Sequence, residues 1–210
     1  MKKLAFLNQS YVDTTRRTEW ITITLLITTM FIVGVVCPLL ARYANLTHAT
    51  NQFIIGPVVN AALIVTATNV KGITKILPLV MLPSIFAMTL GFAFNNPTQA
   101  MLMIPFIWAG NMALVLSFKS IFKKDKSLKR DTLRYVIASI VGVGLKAAII
   151  FSGLQIVIAT GIPPAPWGHL VWNTFGVYQI ITASVGAVAA FGVIMTQARL
   201  TNRNQVHQNF

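Results

Sequence analysis

The sequence predicts an all-α integral membrane protein: a bundle of six transmembrane helices with both termini in the cytoplasm. Three observations predict it. Hydrophobic residues make up 55% of the 210 and charged residues only 10%, with a mean hydropathy of +0.71. Ordinary soluble domains carry roughly 25% charged residues. The apolar residues fall into six runs, and a helix needs about 20 mainly apolar residues to cross the hydrocarbon of a bilayer. The basic residues collect in alternate connections, as they do in a chain that threads a membrane back and forth.

The runs lie at residues 20–43, 53–70, 76–94, 101–118, 135–160 and 173–197, between a polar segment 1–19 and a tail 198–210. The first follows Arg16 and Arg17 and carries the small residues Thr22, Thr24, Thr28 and Gly34. The second and fourth are near the short limit, and each holds a proline, Pro57 or Pro105. Proline removes a backbone donor and kinks a helix, which lipid tolerates only where neighbouring groups compensate. Asn60 and Asn111 lie within a turn or two of these prolines. They are placed to satisfy freed carbonyls or to face a cavity. The fifth run places Gly142, Gly144, Ala147 and Ala148 around Lys146, so a neighbouring helix is expected to pack closely there. The sixth carries Gly176, Ala183, Gly186, Ala187 and Ala190, a small-residue pattern that more often serves internal packing than docking.

Of the 17 Lys and Arg residues, all except Arg42 and Lys146 fall in the N-terminal segment, the second and fourth connections, or the tail. The connections at 44–52, 95–100 and 161–172 contain no Lys, Arg, Asp or Glu. The positive-inside rule puts the basic side in the cytoplasm. The net charge of +13 is thereby accounted for by topology and by attraction to anionic headgroups, with no nucleic-acid partner required. The first 19 residues lack the apolar core of a signal peptide; Leu4, Phe6, Leu7 and Tyr11 fit one side of a short amphipathic helix. Cys37 is the only cysteine, which excludes an intramolecular disulfide and a cysteine-based metal site.

An enzyme is not expected. The four acidic residues, Asp13, Glu19, Asp125 and Asp131, all lie in cytoplasmic segments, so the membrane interior and outer face have no carboxylate for acid–base work or metal ligation. His48, His169 and His207 are scattered, and no glycine-rich phosphate loop occurs. Neither cofactor nor metal is expected.

Lys146 is the candidate on which function turns, as the single charge deep inside an apolar run. An ammonium at that depth costs roughly 3 kcal/mol on insertion scales, and such residues mark functional sites. With no carboxylate in the membrane, it has to meet carbonyls, water, an anionic ligand or a partner chain, or be neutral. Trp108 lies a turn from Asn111 and Pro105 in the fourth run. The last outer connection holds three prolines with Trp167, His169, Trp172 and Asn173 at its end. Those rings suit either the interfacial aromatic belt or a rigid wall over an outward-facing pocket. Gln179 adds a polar group in the sixth run.

The stretches Gln52-Phe-Ile-Ile-Gly-Pro-Val-Val-Asn60, Ile104-Pro-Phe-Ile-Trp-Ala-Gly-Asn111 and Gly144-Leu-Lys-Ala-Ala148 resemble the substrate-binding (S) components of energy-coupling factor transporters. The resemblance implies a prokaryotic plasma-membrane protein that binds a vitamin, a vitamin precursor or a metal ion near its outer face. Spans four to six and the outer connections would form the pocket, and the early spans would contact a coupling transmembrane subunit driven by two ATPase subunits. Many members dock through an Ala-x-x-x-Ala motif in the first span; this chain has Thr24-x-x-x-Thr28 instead. The N-terminal His and Asp ligands of cobalt- and nickel-type members are absent, so the expected ligand is a small organic molecule. Lys146 favours an acidic group on it, and Trp108, Trp167 and Trp172 favour a flat or apolar ring. Two other readings stand beside this one. A channel or facilitator would line a polar file with Asn60, Asn111, Lys146 and Gln179; a non-transport membrane subunit would dock through its basic fourth connection.

Overall fold

The computed structural model describes residues 16–36, 39, 43, 48–89, 97–123, 128–161 and 175–208. Among these residues there are six α-helices and no strand. Helix α1 covers Arg16–Phe31 and runs on into a π-helical turn, Ile32–Val36. It is followed by α2 (His48–Asn69), α3 (Leu77–Thr89), α4 (Pro97–Ile121), α5 (Leu128–Ala159) and α6 (Val177–Gln208). Each coincides with one of the six apolar runs. The amphipathic segment expected at residues 4–11 and the tryptophan-bearing connection 162–174 lie outside the described residues.

Three helices are long and apolar enough to cross a membrane, through Met101–Ile121, Lys129–Ala159 and Val177–Gln197. The other three carry shorter apolar stretches, Thr18–Phe31, Phe53–Asn69 and Leu77–Phe86. In α1 the regular ladder stops at Phe31, where it widens into the π turn. The 13 residues of α3 reach about 20 Å at 1.5 Å per residue, against about 30 Å of hydrocarbon. Conversely, α4 is longer than its apolar run. It starts at Pro97, since a first helical residue has no use for its N–H, and it continues through Pro105.

Helix α2 is the axis of the bundle. Ala62 through Val70 is buried without interruption, as expected of a helix enclosed on all sides, and α2 packs against α6, α4 and α1. Its inner hydroxyls bond within the helix, Thr66 Oγ1 to the Ala62 carbonyl at 2.6 Å and Thr68 Oγ1 to the Val65 carbonyl at 2.9 Å. Close approach to α6 depends on missing side chains. A Cβ on Gly186 would lie 2.6 Å from Asn60 Cβ and 2.7 Å from the Pro57 carbonyl oxygen. Helix α5 packs chiefly on α4 through the same device. A Cβ on Gly110 would lie 3.2 Å from the Lys146 carbonyl oxygen, and one on Gly142 2.9 Å from Leu114 Cδ1. Gly144 departs from the expected packing: a Cβ there would meet nothing within 4 Å. It is one helical position off the buried stripe of α5, so it faces outward.

Polar contacts gather the basic ends of the helices together. Glu19, in the first turn of α1, accepts from the Lys71 backbone N–H and from Lys75 Nζ at 2.8 Å. Near the end of α4, Lys119 Nζ donates to the Val70 carbonyl at 2.7 Å. Asn69 Nδ2 donates to Gln197 Oε1 at 2.7 Å, and Arg134 to the Lys123 carbonyl at 3.2 Å. The start of α1, the ends of α2 and α4, the start of α5 and the Gln197 turn of α6 therefore share one face of the molecule. Gly72, with φ 82°, supplies the left-handed turn that lets the chain leave α2 there; a side chain in that conformation would be strained.

Candidate functional site

On α5 the buried residues Tyr135, Ala138, Gly142, Lys146, Ile150, Leu154 and Val157 recur at three- and four-residue spacing. This single stripe faces the bundle, and Lys146 is a member of it. The helix therefore has to carry its lysine inward. Lys146 lies about 25 Å from Lys129 and about 20 Å from Ala159 along the axis, and it is 3% exposed.

Its ammonium donates to Oδ1 of Asn60 on α2, itself 2% exposed. Asn60 Nδ2 donates back along its own helix to the Gly56 carbonyl at 2.8 Å, which turns Oδ1 toward the lysine. An ammonium has three donors, and among the described residues Asn60 accepts the one such bond that Lys146 makes. The partner is thus the oxygen of a neutral side-chain amide, not a backbone carbonyl or a carboxylate. The pair sits where four helices converge: Gly186 of α6 abuts Asn60, and Gly110 of α4 abuts the Lys146 carbonyl.

Asn111, the residue after Gly110, is 2% exposed. Its Nδ2 reaches the Val80 carbonyl of α3 at 3.3 Å, while its Oδ1 is buried with no partner among the described residues. One turn earlier, Trp108 Nε1 is also buried without a partner; one turn beyond Val80, so is Ser84 Oγ. Neither asparagine satisfies the carbonyl freed by the proline in its own helix. Asn60 bonds Gly56, and Asn111 crosses to another helix. A buried polar group left unpaired costs about 1–3 kcal/mol. Lys146 with donors left over, Trp108 Nε1, Asn111 Oδ1 and the Ser84 hydroxyl are thus buried polar groups on α5, α4 and α3 with hydrogen-bonding capacity unused among the described residues. Chemically, unused donors and an acceptor of this kind suit a small molecule that both accepts and donates hydrogen bonds.

The remaining candidates are dispersed. Gln179 lies seven residues before Gly186, about 10 Å along α6; it is partly buried, its backbone N–H bonds the Gly176 carbonyl at 3.1 Å, and the neighbouring Tyr178 packs on Phe53 with centroids 4.7 Å apart and rings tilted by 52°. Trp167, His169, Trp172 and Asn173 lie outside the described residues. Thr24 and Thr28 are exposed on α1, away from the Glu19, Ile23 and Met30 stripe that faces the bundle. The sequence puts Asn60 near a kink or in a polar file and does not mark it as the partner of Lys146, and nothing in it marks Ser84. The available signal for Asn60 was an asparagine set between Val59 and Ala61 inside an apolar run. Comparison with family models, with curated proteins and with solved structures finds no match for this chain.

Proposed function

We propose that this chain is a multi-pass, solute-binding subunit for uptake across a prokaryotic plasma membrane. It crosses the membrane six times, with its basic end and both termini in the cytoplasm. Its solute is a small organic molecule carrying an acidic group, held by Lys146 with Trp108 and Asn111 beside it. The exposed face of α1 that carries Thr24 and Thr28 meets a coupling transmembrane subunit, and separate ATPase subunits supply the energy. The observation that carries this reading is the buried Lys146 Nζ, which has a neutral partner and donors left over. Its desolvation is costly, and an anionic solute group offsets that cost where a neutral amide does so only in part.

Native mass spectrometry of the detergent-purified chain, with denaturing extraction of any retained small molecule, tests it. One acidic solute per chain, lost in Lys146→Met while the variant stays folded, is the expected result. Binding of that solute at wild-type affinity by Lys146→Met would remove the lysine from recognition. The direct Lys146–Asn60 bond favours a second reading, in which the pair only pins α5 to α2 in a membrane subunit that transports nothing. A chain that is consistently empty yet copurifies with a fixed protein partner supports that one.

A further inference from the structure

Helices α5 and α6 touch where Tyr135 Oη donates to the Ala187 carbonyl at 2.6 Å. Around that contact they leave a laterally open groove of about 560 Å³. Its walls are Val136, Ile140 and Val143 of α5 with Ile180, Val188 and Phe191 of α6, and Tyr135 closes its floor. Ile140 is 69% exposed and Val188 75%, so the groove opens to whatever surrounds the bundle. We propose that it holds one acyl chain of an anionic phospholipid from the leaflet at the basic end of the molecule.

Length, width and charge each point to this occupant. From Thr132 to Gly144 the lining of α5 extends about 18 Å at the helical rise, close to the depth of one leaflet in a hydrocarbon core of about 30 Å. Spreading 560 Å³ over that length leaves a cross-section of about 30 Å². That suits a single hydrocarbon chain, whereas a whole helix about 10 Å across would lie over the mouth and not within it. Lys129, exposed, stands three residues before Thr132 on the same face of α5, with exposed Arg130 beside it. Arg134, at the same end of α5, donates to the Lys123 carbonyl. Asp131, the acidic residue of this turn, is buried at 4% exposure, whereas Lys129 and Arg130 are exposed. An anionic headgroup is attracted to such a basic cluster.

The full chain is reconstituted into phosphatidylcholine vesicles with and without a minor fraction of phosphatidylglycerol, then gently extracted, and its retained lipid counted by native mass spectrometry. One phosphatidylglycerol per chain is expected, in preference to phosphatidylcholine. Gly144→Leu fills the groove where a side chain meets no clash and reduces retention at least several-fold; Ser184→Phe does the same from α6. Lys129→Gln with Arg130→Gln abolishes the preference for phosphatidylglycerol while lipid is still retained. Retention of both lipids alike by wild type, or retention untouched by either groove-filling variant, overturns the proposal. So does a concentration-dependent dimer that Gly144→Leu abolishes. None of these outcomes bears on the solute reading, because Lys146 does not line the groove.

Discussion

Lys146 and Asn60 are 86 residues apart in sequence and meet in the core, and their energetics are asymmetric. Removing Asn60 leaves a buried ammonium with no partner among the described residues, whereas removing the lysine leaves one amide oxygen unpaired. Breaking a buried polar pair from its charged side's partner costs about 3–5 kcal/mol, while replacing both members with apolar groups is often neutral. Asn60→Leu is therefore expected to lower thermal stability in detergent markedly, Lys146→Met much less, and the double variant to recover most of the Asn60→Leu loss. Additive losses in that cycle would show that the two side chains do not interact. Tyr135 offers a simpler case. Its hydroxyl gives a single hydrogen bond to the Ala187 carbonyl, and such bonds between membrane helices average about 0.6 kcal/mol. Tyr135→Phe is thus expected to cost about that much by unfolding, because the ring still packs on Phe118, Phe122 and Phe191.

Among the helices, what separates a glycine that matters from one that does not is the neighbouring backbone. Lipid provides no hydrophobic drive for helices to associate, so contact depends on small residues that admit close approach. At Gly186 a Cβ would stand 2.7 Å from the Pro57 carbonyl oxygen and 3.0 Å from the Ala61 nitrogen, atoms that cannot rotate aside. At Gly192, on the same helix, a Cβ meets nothing within 4 Å. Gly186→Ala is expected to destabilise the α2–α6 pair by about 1–3 kcal/mol, as overpacking does. Gly192→Ala is expected to be neutral or to stabilise by about 0.5–1 kcal/mol through helix propensity. Thermal unfolding of the two variants side by side checks this, and equal losses would mean the α2–α6 contact is not tight. In sequence both glycines read alike, as small residues in the sixth run; only the partner helix distinguishes them.

At the scale of the whole molecule, the basic ends of the helices are tied into one face by Glu19 with Lys71 and Lys75, by Lys119 with the Val70 carbonyl, and by Asn69 with Gln197. That face is the one the positive-inside rule assigns to the cytoplasm. In a Cys37→Ala background, Lys123→Cys is expected to react with an impermeant thiol reagent only after the membrane is opened, and Gly161→Cys in sealed cells. Equal reactivity of the two from one side would exclude alternating threading between α4 and the end of α5.

Composition, six apolar runs and the placement of basic residues determined that this chain is helical, rich enough in apolar residues for a membrane, and sided. Each of these is a sum over many residues and tolerates error at any one of them. The inward course of Lys146 was not legible in that way, because α5 is apolar on its exposed faces as well, with Ile137, Ile140 and Leu145 outward, and only burial separates its inner stripe. Nor was its partner. Which amide on another helix meets the ammonium depends on the angle and depth at which α2 and α5 cross, and those are set by contacts such as Gly186 on Asn60 and Gly110 on the Lys146 carbonyl. Only the tertiary structure decided that Asn60 accepts from Lys146 and that Asn111 turns to Val80 instead. It likewise decided that Gly144 faces an open groove, because these are matters of packing between segments that local sequence does not encode.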